Sequence, residues 1–380
     1  MPDGIPFNDL GAQRRYLGHA IDQAIRNVLD HGMYVMGPEV AQLEQELAAF
    51  CGAKHAISCG NGTDALTLVL MAKKVKAGDA VFCPAFTFAA TAEAVAGLGA
   101  TPVFVDICED SFNLDIRSLR CSITMVKESG LKPVGIVAVD LFGQPADYND
   151  IEAVAAREGL WLICDAAQAF GASYKGRQIG TIGLATTTSF FPNKPLGCYG
   201  DGGAVFTSNA ELADSILSLR VHGQGKDKFD NVQIGMNSRL DTLQAAVLLE
   251  KLKIFPVEIT ARRRIASRYH ERLGDVVTVP YILAGATSVW AQYTLRLPRC
   301  DRELFQRYLT TAGVTTAVYY PRPLHRQPAY SHFPTAPTGL SVSDRLATEV
   351  VSLPMHAYLT EEVQDRISVA VRKASSAAQR

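Results

Sequence analysis

Asp165 and Lys194 are the two residues whose side chains and positions suit a recognisable chemistry. Asp165 follows the apolar run at residues 160–164, and Lys194 ends the segment Ser-Phe-Phe-Pro-Asn-Lys at residues 189–194. A lysine amine can bond covalently to the aldehyde of pyridoxal phosphate, and a carboxylate can keep the pyridine nitrogen of that cofactor protonated. Either residue alone would more often be a helix cap, an ion-pair partner or a solvated charge. Their combination predicts a pyridoxal phosphate site with Lys194 and Asp165 as its catalytic residues.

Gly62, Thr63 and Ser189 are candidates for holding the phosphate of such a cofactor. Gly62 and Thr63 belong to the segment Gly-Asn-Gly-Thr-Asp at residues 60–64, between a predicted strand and a predicted helix. Backbone N–H groups at the start of a helix, together with a threonine hydroxyl, favour a bound anion. Ser189 lies shortly before Lys194 and offers a second hydroxyl. An ordinary capped turn and a plain strand serine are the alternatives.

Phe88 and Gln168 are candidates for contacts with the cofactor ring. Phe88 comes after another predicted strand end, where its ring could stack on the pyridine face. Gln168 follows Asp165 closely, and its neutral amide could hydrogen-bond the phenolic oxygen without changing the charge of the ring. Core packing for Phe88 and helix capping for Gln168 are the ordinary alternatives. Both are predicted cofactor-binding residues, and both predictions depend on Lys194.

Short β-rich runs alternate with helical patterns from about residue 55 to residue 208, which is typical of a parallel sheet with crossover helices. The predicted strands are 55–59, 80–84, 101–106, 135–141, 160–165, 186–191 and 203–207, and the predicted helices are 63–73, 89–98, 147–158 and 211–220. Open α/β sheets bind their ligands at the carboxyl ends of the strands. Such a sheet would place Asp165 at its ligand-binding edge.

A long helical pattern at residues 238–273, interrupted near Pro256, separates this region from a second, smaller α/β unit. The smaller unit has predicted strands at 287–297 and 315–320, and predicted helices at 301–311, 343–352 and 361–374. A chain of 380 residues exceeds what one core usually organises. We therefore expect two domains: residues 1–255 form a large pyridoxal phosphate-binding domain with an N-terminal segment, and residues 256–380 form a small C-terminal domain.

The composition limits the partners that the chain can have. Hydrophobic residues make up 48% of it, charged residues 20%, and the formal net charge is −1, so no strong field attracts nucleic acid or an anionic membrane. The N-terminus lacks a targeting pattern and no run of about 20 apolar residues occurs, so we expect a cytoplasmic protein. The cysteines form no zinc-like cluster, which predicts no metal site. No Gly-x-Gly-x-x-Gly follows the first predicted strand, which argues against a dehydrogenase.

Four motifs occur in an order that resembles the DegT/DnrJ/EryC1/StrS family of sugar aminotransferases. They are residues 61–66 (NGTDAL), 165–168 (DAAQ), 189–194 (SFFPNK) and 237–241 (NSRLD), and the resemblance spans essentially the whole chain. Residues 194–203 (KPLGCYGDGG) look most like the WbpE- and WlbC-type enzymes, which aminate C3 of a UDP-linked 2-acetamido-3-keto-hexuronic acid. The resemblance implies an α/β protein of fold type I, the aspartate aminotransferase-like fold of pyridoxal phosphate-dependent transferases, with a large, mostly parallel sheet.

The resemblance also implies roles for residues at the matching positions. It implies that Lys194 bonds the cofactor, that Asp165 pairs with its pyridine nitrogen and that Gln168 lies near its hydroxyl. The phosphate is expected to be held by Gly62, Thr63 and Ser189. The cofactor would alternate between pyridoxal phosphate and pyridoxamine phosphate during amino-group transfer.

Asn237 and Arg239 are the residues that the resemblance connects with a second subunit and with the substrates. The resemblance implies a homodimer with shared active sites, so Asn237 is expected to reach the phosphate of the neighbouring subunit. Arg239 is a candidate for binding a carboxylate, either of the sugar or of glutamate, because a guanidinium group binds carboxylate with a planar fork of donors. A surface ion pair is the alternative for Arg239.

The predicted sugar contacts depart from the subgroup at one position. The chain has Tyr319-Tyr320-Pro where WbpE-like enzymes have His-Tyr-Pro. A phenol can donate a hydrogen bond to a hydroxyl or a carboxylate, but it cannot supply an imidazolium. Tyr319 and Tyr320 are therefore candidate sugar contacts, with His325 as a candidate replacement for the missing histidine. Tyr34 is a candidate for the nucleotide groove, and His222 is either near the site or a helix C-terminal cap.

The sequence thus predicts a pyridoxal phosphate-dependent aminotransferase. Its expected reaction moves the amino group of L-glutamate to C3 of UDP-2-acetamido-2-deoxy-3-keto-glucuronic acid, towards a 2,3-diamino sugar of lipopolysaccharide or O-antigen. Amination at C3 or C4 of a dTDP- or GDP-linked keto-deoxysugar is the alternative. Related sugar dehydratases replace the cofactor-bonding lysine with histidine, so Lys194 argues against dehydration. A regulator that only holds the cofactor would need a DNA-binding or sensor module. The predicted helices and strands leave no segment for one.

Overall fold

The computed structural model describes residues 4–227 and 229–379. Three helices precede the first strand: α1 (Leu10–Leu17), α2 (His19–His31) and α3 (Pro38–Cys51). Asp9 caps α1 by accepting a hydrogen bond from the N–H of Ala12. Gly32 and Gly52 adopt the left-handed conformation that ends α2 and α3. Local capping signals therefore define all three helices.

A seven-stranded sheet forms the centre of the larger region. Its strands are β1 (His55–Cys59), β2 (Asp79–Pro84), β3 (Thr101–Val105), β4 (Lys132–Val139), β5 (Trp161–Asp165), β8 (Ala185–Ser189) and β9 (Gly203–Thr207). They lie in the order β1-β9-β8-β5-β4-β2-β3. The pairs from β8 to β3 are parallel, whereas β9 pairs antiparallel with both β8 and β1. The sheet is therefore mostly parallel, as the alternating pattern predicts.

Helices connect these strands and cover both faces of the sheet. They are α4 (Gly62–Ala72), α5 (Ala90–Gly97), α6 (Ile116–Glu128), α7 (Tyr148–Glu158) and α8 (Ala210–Leu219). Each face has its own apolar core, one of which contains the stacked rings of Phe170, Phe206 and Phe255. Because both faces are buried, the strands read as nearly continuous apolar runs in the sequence.

The remaining strands are short. Strands β6 (Ser173–Tyr174) and β7 (Arg177–Gln178) form a three-stranded antiparallel sheet with β10 (Ala286–Thr287), and β11 (Tyr293–Arg296) pairs antiparallel with β12 (Val350–Leu353). Helices α9 (Thr242–Leu273), α10 (Arg302–Thr311), α11 (Ser341–Glu349) and α12 (Glu361–Ala377) complete the fold, with 3-10 turns at Leu141–Gly143 and Leu324–Arg326. Around β11 and β12 a separate apolar core forms, in the C-terminal part of the chain.

Several details of the predicted C-terminal region are wrong. The helix predicted at 343–352 ends at Glu349, where β12 begins, and the strand predicted at 287–297 is divided into β10 and β11. The strand predicted at 315–320 is absent from the described structure, where Ala317 forms only an isolated bridge with Ser352. The predicted interruption at Pro256 is also absent, because α9 continues through the proline as one helix of 32 residues. Proline removes one backbone hydrogen bond and crowds the preceding turn, but Leu252, Phe255 and Ile259 are buried on the same helix. The packing of that apolar face keeps the helix continuous.

Helix α9 crosses residues 255/256, where the sequence predicts a domain boundary. The division into two domains stays a prediction. Within the two described ranges, no helix is both long and apolar enough to cross a membrane.

Candidate functional site

Asp165 occupies the carboxyl end of β5, at the ligand-binding edge of the sheet. Its carboxyl is buried and held in place by two donors: Thr91 Oγ1 donates to Oδ2 at 3.0 Å, and the N–H of Ala167 donates to Oδ1 at 3.2 Å. Burial raises the pKa of Asp165, while these two hydrogen bonds and the charge of Lys194 act in the opposite direction. The carboxyl group is therefore fixed in direction and close to the amine of Lys194.

Lys194 lies near Asp165, after the turn that follows β8. Its backbone N–H donates to the carbonyl of Phe191 at 2.8 Å, which closes this turn. Burial lowers the pKa of the Lys194 amine, and the charge of Asp165 opposes that shift. A lowered pKa makes the neutral amine, which is the form that a nucleophile or a proton acceptor needs, easier to reach. The structure thus brings together the two predicted catalytic residues.

The start of α4 forms a close junction with Ser189. A Cβ atom at Gly62 would lie 2.7 Å from Cβ of Ser189, so only glycine permits this approach. Asn61 satisfies two of the first helical N–H groups, since its Oδ1 accepts from Asp64 and its carbonyl accepts from Ala65. The N–H groups that an anion could use at this helix start therefore belong to Gly62 and Thr63. Ser189, beside them, adds a hydroxyl.

Gln168 is oriented by hydrogen bonds at both ends of its amide. Its Oε1 accepts from the N–H of Phe142 at 2.7 Å, and its Nε2 donates to Tyr320 Oη at 3.2 Å. Because Gln168 lies just beyond Asp165, Tyr320 is brought to the same edge of the sheet. Burial raises the pKa of Tyr320, and the hydrogen bond from Gln168 opposes the shift. The Tyr320 hydroxyl stays protonated and can still donate a hydrogen bond.

Aromatic side chains surround Tyr320. The ring of Phe88 lies 6.3 Å from the ring of Tyr320 and is 58% exposed, whereas the ring of Phe86 is buried at 6.1 Å. Tyr319 is half-buried, with its ring 6.0 Å from that of Phe7. Phe88 therefore has an open face at the site, as stacking on a bound ring requires.

Arg239 and His222 line an open cavity of about 760 Å³, whose lining residues all belong to the segment at residues 221–239. Asn237, at the end of this segment, is exposed and forms an isolated bridge with Val221. Ser238 fixes the segment to the start of α4, since its hydroxyl accepts from the N–H of Gly60 at 3.0 Å and donates to Asp64 Oδ2 at 2.7 Å.

Tyr34 and His325 lie in other surroundings. Tyr34 is 48% exposed, and its carbonyl accepts from the N–H of Thr242 at the start of α9. His325 Nε2 lies 3.0 Å from Asp344 Oδ1, so its polar neighbour is an acid of α11. Burial lowers the pKa of His325, although Asp344 opposes the shift. The predicted roles of Tyr34 and His325 in substrate binding stay predictions.

Two residues of this site escape sequence reasoning. Thr91 contacts Asp165 across 74 positions of sequence, and Phe142 contributes only its backbone N–H. Thr91 lies in the first turn of α5, the helix after β2, and β2 ends at the same edge of the sheet as β5. A polar residue at that place in the sequence could have been predicted to lie near Asp165. Phe142 gives no comparable signal.

Comparison with known proteins gives consistent matches over nearly the whole chain. The model of the DegT/DnrJ/EryC1/StrS aminotransferase family matches residues 15–372. The UDP-2-acetamido-2-deoxy-3-oxo-D-glucuronate aminotransferase of Pseudomonas aeruginosa is 49% identical over 356 residues, which cover 93% of this chain and 96% of that protein.

Solved structures also match over nearly the whole chain. A DegT DnrJ EryC1 StrS aminotransferase from Brucella abortus has a TM-score of 0.95 and 50% identity, covering 97% of this chain and 99% of its own. The NtdA protein of Bacillus subtilis, solved with bound cofactor PMP, has a TM-score of 0.86 and 28% identity, covering 99% of this chain and 86% of its own.

Proposed function

The chain belongs to the DegT/DnrJ/EryC1/StrS aminotransferase family, and we propose that it moves the amino group of L-glutamate to C3 of UDP-2-acetamido-2-deoxy-3-keto-glucuronic acid. The family depends on pyridoxal phosphate, so the predicted cofactor, the enzyme class and the fold type I architecture are confirmed. The proposed substrate rests on one observation: the chain is 49% identical to the Pseudomonas aeruginosa enzyme whose name contains this substrate. The product would be a 2,3-diamino sugar nucleotide, made in the cytoplasm for lipopolysaccharide or O-antigen.

The residues at the sheet edge fit the cofactor. Pyridoxal phosphate, when bound, supplies an electron sink for breaking bonds at the carbon that carries the amino group. Lys194 would hold its aldehyde carbon, and Asp165 would hold the proton on its pyridine nitrogen. The Gly62–Ser189 junction supports this fit, because it brings the N–H groups at the start of α4 and a hydroxyl together where an added Cβ would not fit. Thr63, Gln168 and Phe88 would complete the contacts with phosphate, hydroxyl and ring.

Lys194 is the proposed proton carrier of the reaction. Its lowered pKa favours the neutral amine, which can take the proton from Cα of glutamate. In the second half-reaction the same amine would return a proton to C3 of the sugar. Asp165 would assist by keeping a negative charge beside the pyridine nitrogen of a bound cofactor, and Thr91 fixes the direction of that carboxylate.

Exposed apolar side chains support a homodimer. Met33, Val35 and Met36 are each 42–50% exposed, and Ile234 is 91% exposed. Met33, Val35 and Met36 follow closely on one another in the sequence, and exposed apolar side chains that lie together can mark a protein interface. In the proposed dimer, the segment with Asn237 and Arg239 would complete the active site of the partner.

The substrates would bind beside the Asp165–Lys194 pair. Tyr320 accepts a hydrogen bond from Gln168, so its own hydroxyl hydrogen is available to a sugar oxygen. Arg239 would bind a carboxylate of the uronic acid or of glutamate, with its guanidinium group in an open cavity. Tyr319 would contact the sugar, and Tyr34 the nucleotide. His325 would act only through a rearrangement away from Asp344.

A visible absorbance assay tests this function. The purified protein should be yellow, bleach with L-glutamate and recover its colour with the UDP-linked 3-keto-uronic acid. Lys194→Ala should abolish the cycle, whereas Lys54→Ala, which changes an exposed lysine, should leave it intact. Recovery only with dTDP- or GDP-linked keto sugars would contradict the substrate, and bleaching only with glutamine or aspartate would contradict the donor. A protein that takes up no pyridoxal phosphate would overturn the whole proposal.

A further inference from the structure

A second carboxyl residue, Asp140, lies directly behind the proposed cofactor carboxylate. Asp140 follows β4, and its backbone N–H donates to the carbonyl of Asp165 at 3.0 Å. The two residues thus lie side by side at the ends of neighbouring parallel strands. The Asp140 side chain is fully buried. A buried acid next to a cofactor-binding acid needs a physical explanation, because burying a charge is costly unless it is hydrogen-bonded.

The carboxyl of Asp140 is hydrogen-bonded on both oxygens. Its Oδ1 accepts from Tyr148 Oη at 2.6 Å and from the N–H of Ala146 at 2.8 Å, while its Oδ2 accepts from Cys164 Sγ at 3.0 Å. Tyr148 Oη also lies 2.7 Å from Cys164 Sγ. We call Asp140, Tyr148 and Cys164 the Asp140 cluster. Every donor to this carboxyl is uncharged, so the cluster stabilises a negative charge without neutralising it.

The Asp140 cluster lies across the sheet from the cofactor side. Successive side chains of a strand point to opposite faces, so Cys164 and Asp165 of β5 face opposite ways. Cys164 contacts Asp140, whereas Asp165 contacts Thr91 of α5. The titratable groups that face the Asp140 carboxyl are Tyr148 from α7 and Cys164 from β5, with the carboxyl of Asp165 beyond them.

The same carboxyl closes the loop that orients Gln168. Asp140 begins this loop and Ala146 ends it, so the hydrogen bond between them holds the loop shut. Between these ends, the N–H of Phe142 donates to Gln168 Oε1. That contact turns the Gln168 amide so that its Nε2 points to Tyr320. Asp140 is therefore linked to both cofactor contacts, Asp165 through the strand ends and Gln168 through the loop.

We propose that Asp140 is a positioning residue of the cofactor site: it shapes the loop that orients Gln168, and its buried charge increases the negative potential around Asp165. This inference rests on the proposed roles of Asp165 and Gln168. Burial raises the pKa of Asp140 to about 7, against the opposing effect of the hydrogen bonds from Tyr148, Cys164 and Ala146. The charge on Asp140 thus increases as the pH rises through neutrality. A more negative potential stabilises protonated, cationic forms of a cofactor bound beside Asp165.

The test is a pH titration of the visible absorbance of the cofactor-loaded enzyme, with no glutamate and no sugar. Asp140→Asn keeps the shape and lets the new amide donate to Cys164, but it removes the charge. The absorbance midpoint should fall by about 0.5 pH unit or more, less than for a charge in direct contact with the cofactor because Asp140 lies across the sheet. Cys164→Ser keeps the charge and a donor, so its midpoint should match that of the wild type. An unchanged midpoint in Asp140→Asn would overturn the proposed electrostatic role.

Tyr148→Phe gives an independent test, including the case in which Asp140→Asn does not fold. It removes one hydrogen bond to the carboxylate, so Asp140 should carry less charge near neutrality and the midpoint should fall in the same direction. A purely structural role would weaken the binding of pyridoxal phosphate by the apoenzyme without moving the midpoint, and that result would also overturn the electrostatic role. If the wild type itself stays colourless, the proposed function fails instead, so the two failures can be told apart.

Discussion

Gly62→Ala should destabilise the protein, although alanine is normally the better helix residue. Gly62 is the first residue of α4, and an added Cβ would lie 2.7 Å from Cβ and 3.3 Å from Cα of Ser189. Carbon atoms pack best at about 3.5–4.0 Å, so the first contact is short by roughly 1 Å. Both Ser189 atoms belong to β8 and lie at or next to its backbone, so neither can swing aside as a flexible side-chain end could. Either α4 or β8 must move.

The magnitude follows from two opposing effects. Overpacking a filled site costs about 1–3 kcal/mol. Replacing glycine with alanine recovers about 0.5–1 kcal/mol in the middle of a helix and less at its first residue, where Gly62 lies. We therefore expect Gly62→Ala to lower the free energy of unfolding by about 1–2 kcal/mol, measured by urea denaturation of the apoprotein. The same movement separates the start of α4 from the Ser189 hydroxyl, so the affinity for pyridoxal phosphate should also fall.

Two variants control this experiment. Gly97→Ala, at the end of α5, places its Cβ where no atom lies within 4 Å, so it should leave the stability unchanged or raise it. Ser189→Gly removes the Cβ and the hydroxyl, and it leaves only Cα of residue 189 as a close neighbour at 3.3 Å. Because a glycine also weakens β8, the effect of Gly62→Ala is compared between the wild type and the Ser189→Gly background, where it should cost less than half as much stability, while the cofactor affinity should stay low. The reasoning is refuted if Gly62→Ala unfolds at the wild-type urea concentration, or if Gly62→Ala costs as much stability in the Ser189→Gly background as in the wild type.

Three further predictions concern the same site. Thr91→Val removes the hydroxyl that donates to Asp165, so the pKa of Asp165 should rise. Losing a hydrogen bond of about 1.5 kcal/mol to a charged group should weaken the binding of pyridoxal phosphate about tenfold, measured by fluorescence titration. An unchanged affinity would count against this role of Thr91. Burial lowers the pKa of Lys251 to about 8, so between about pH 8 and the ordinary lysine pKa the unfolded chain binds more protons and stability rises with pH. The free energy of unfolding of the wild type should therefore gain on that of Lys251→Met in this window, and a constant difference would be inconsistent with a shifted lysine. Lys194→Ala and Arg239→Ala subunits should each be inactive alone. When they are co-expressed and pair at random, about half of the dimers are mixed and each mixed dimer has one intact site, so about a quarter of wild-type activity should return. No recovery would argue against shared sites.

The residues that sequence reasoning finds are those whose positions follow from local structure. Asp165 ends an apolar strand, Gly62 opens a helix after another strand, and Lys194 follows a third. Strand ends and helix starts are readable from apolar runs and capping residues, and a parallel sheet brings its carboxyl ends to one edge. Their proximity is therefore a consequence of topology that the sequence pattern already contains.

The contacts that sequence reasoning misses depend on long-range packing. Gln168 and Tyr320 are 152 positions apart, and the hydrogen bond between them depends on how the C-terminal region folds back on the sheet. The wrong strand at residues 315–320 has the same origin. That segment has a β-rich composition, yet a strand needs a partner, and Ala317 meets Ser352 at a single bridge. Composition predicts the local preference but not the presence of a neighbouring strand.

The continuity of α9 through Pro256 links the candidate site to the C-terminal core. On one side of the proline, Gln244 accepts from the N–H of Tyr199, and the buried amine of Lys251 donates to the carbonyl of Gly197 at 2.6 Å, so α9 holds the loop that follows Lys194. On the other side, Arg262 donates to the backbone carbonyls of Trp290 and Met355, each at 3.1 Å. A break at Pro256 would leave these two sets of contacts on separate helices. Because the helix is continuous, the loop after Lys194 and the C-terminal core are attached to one rigid element.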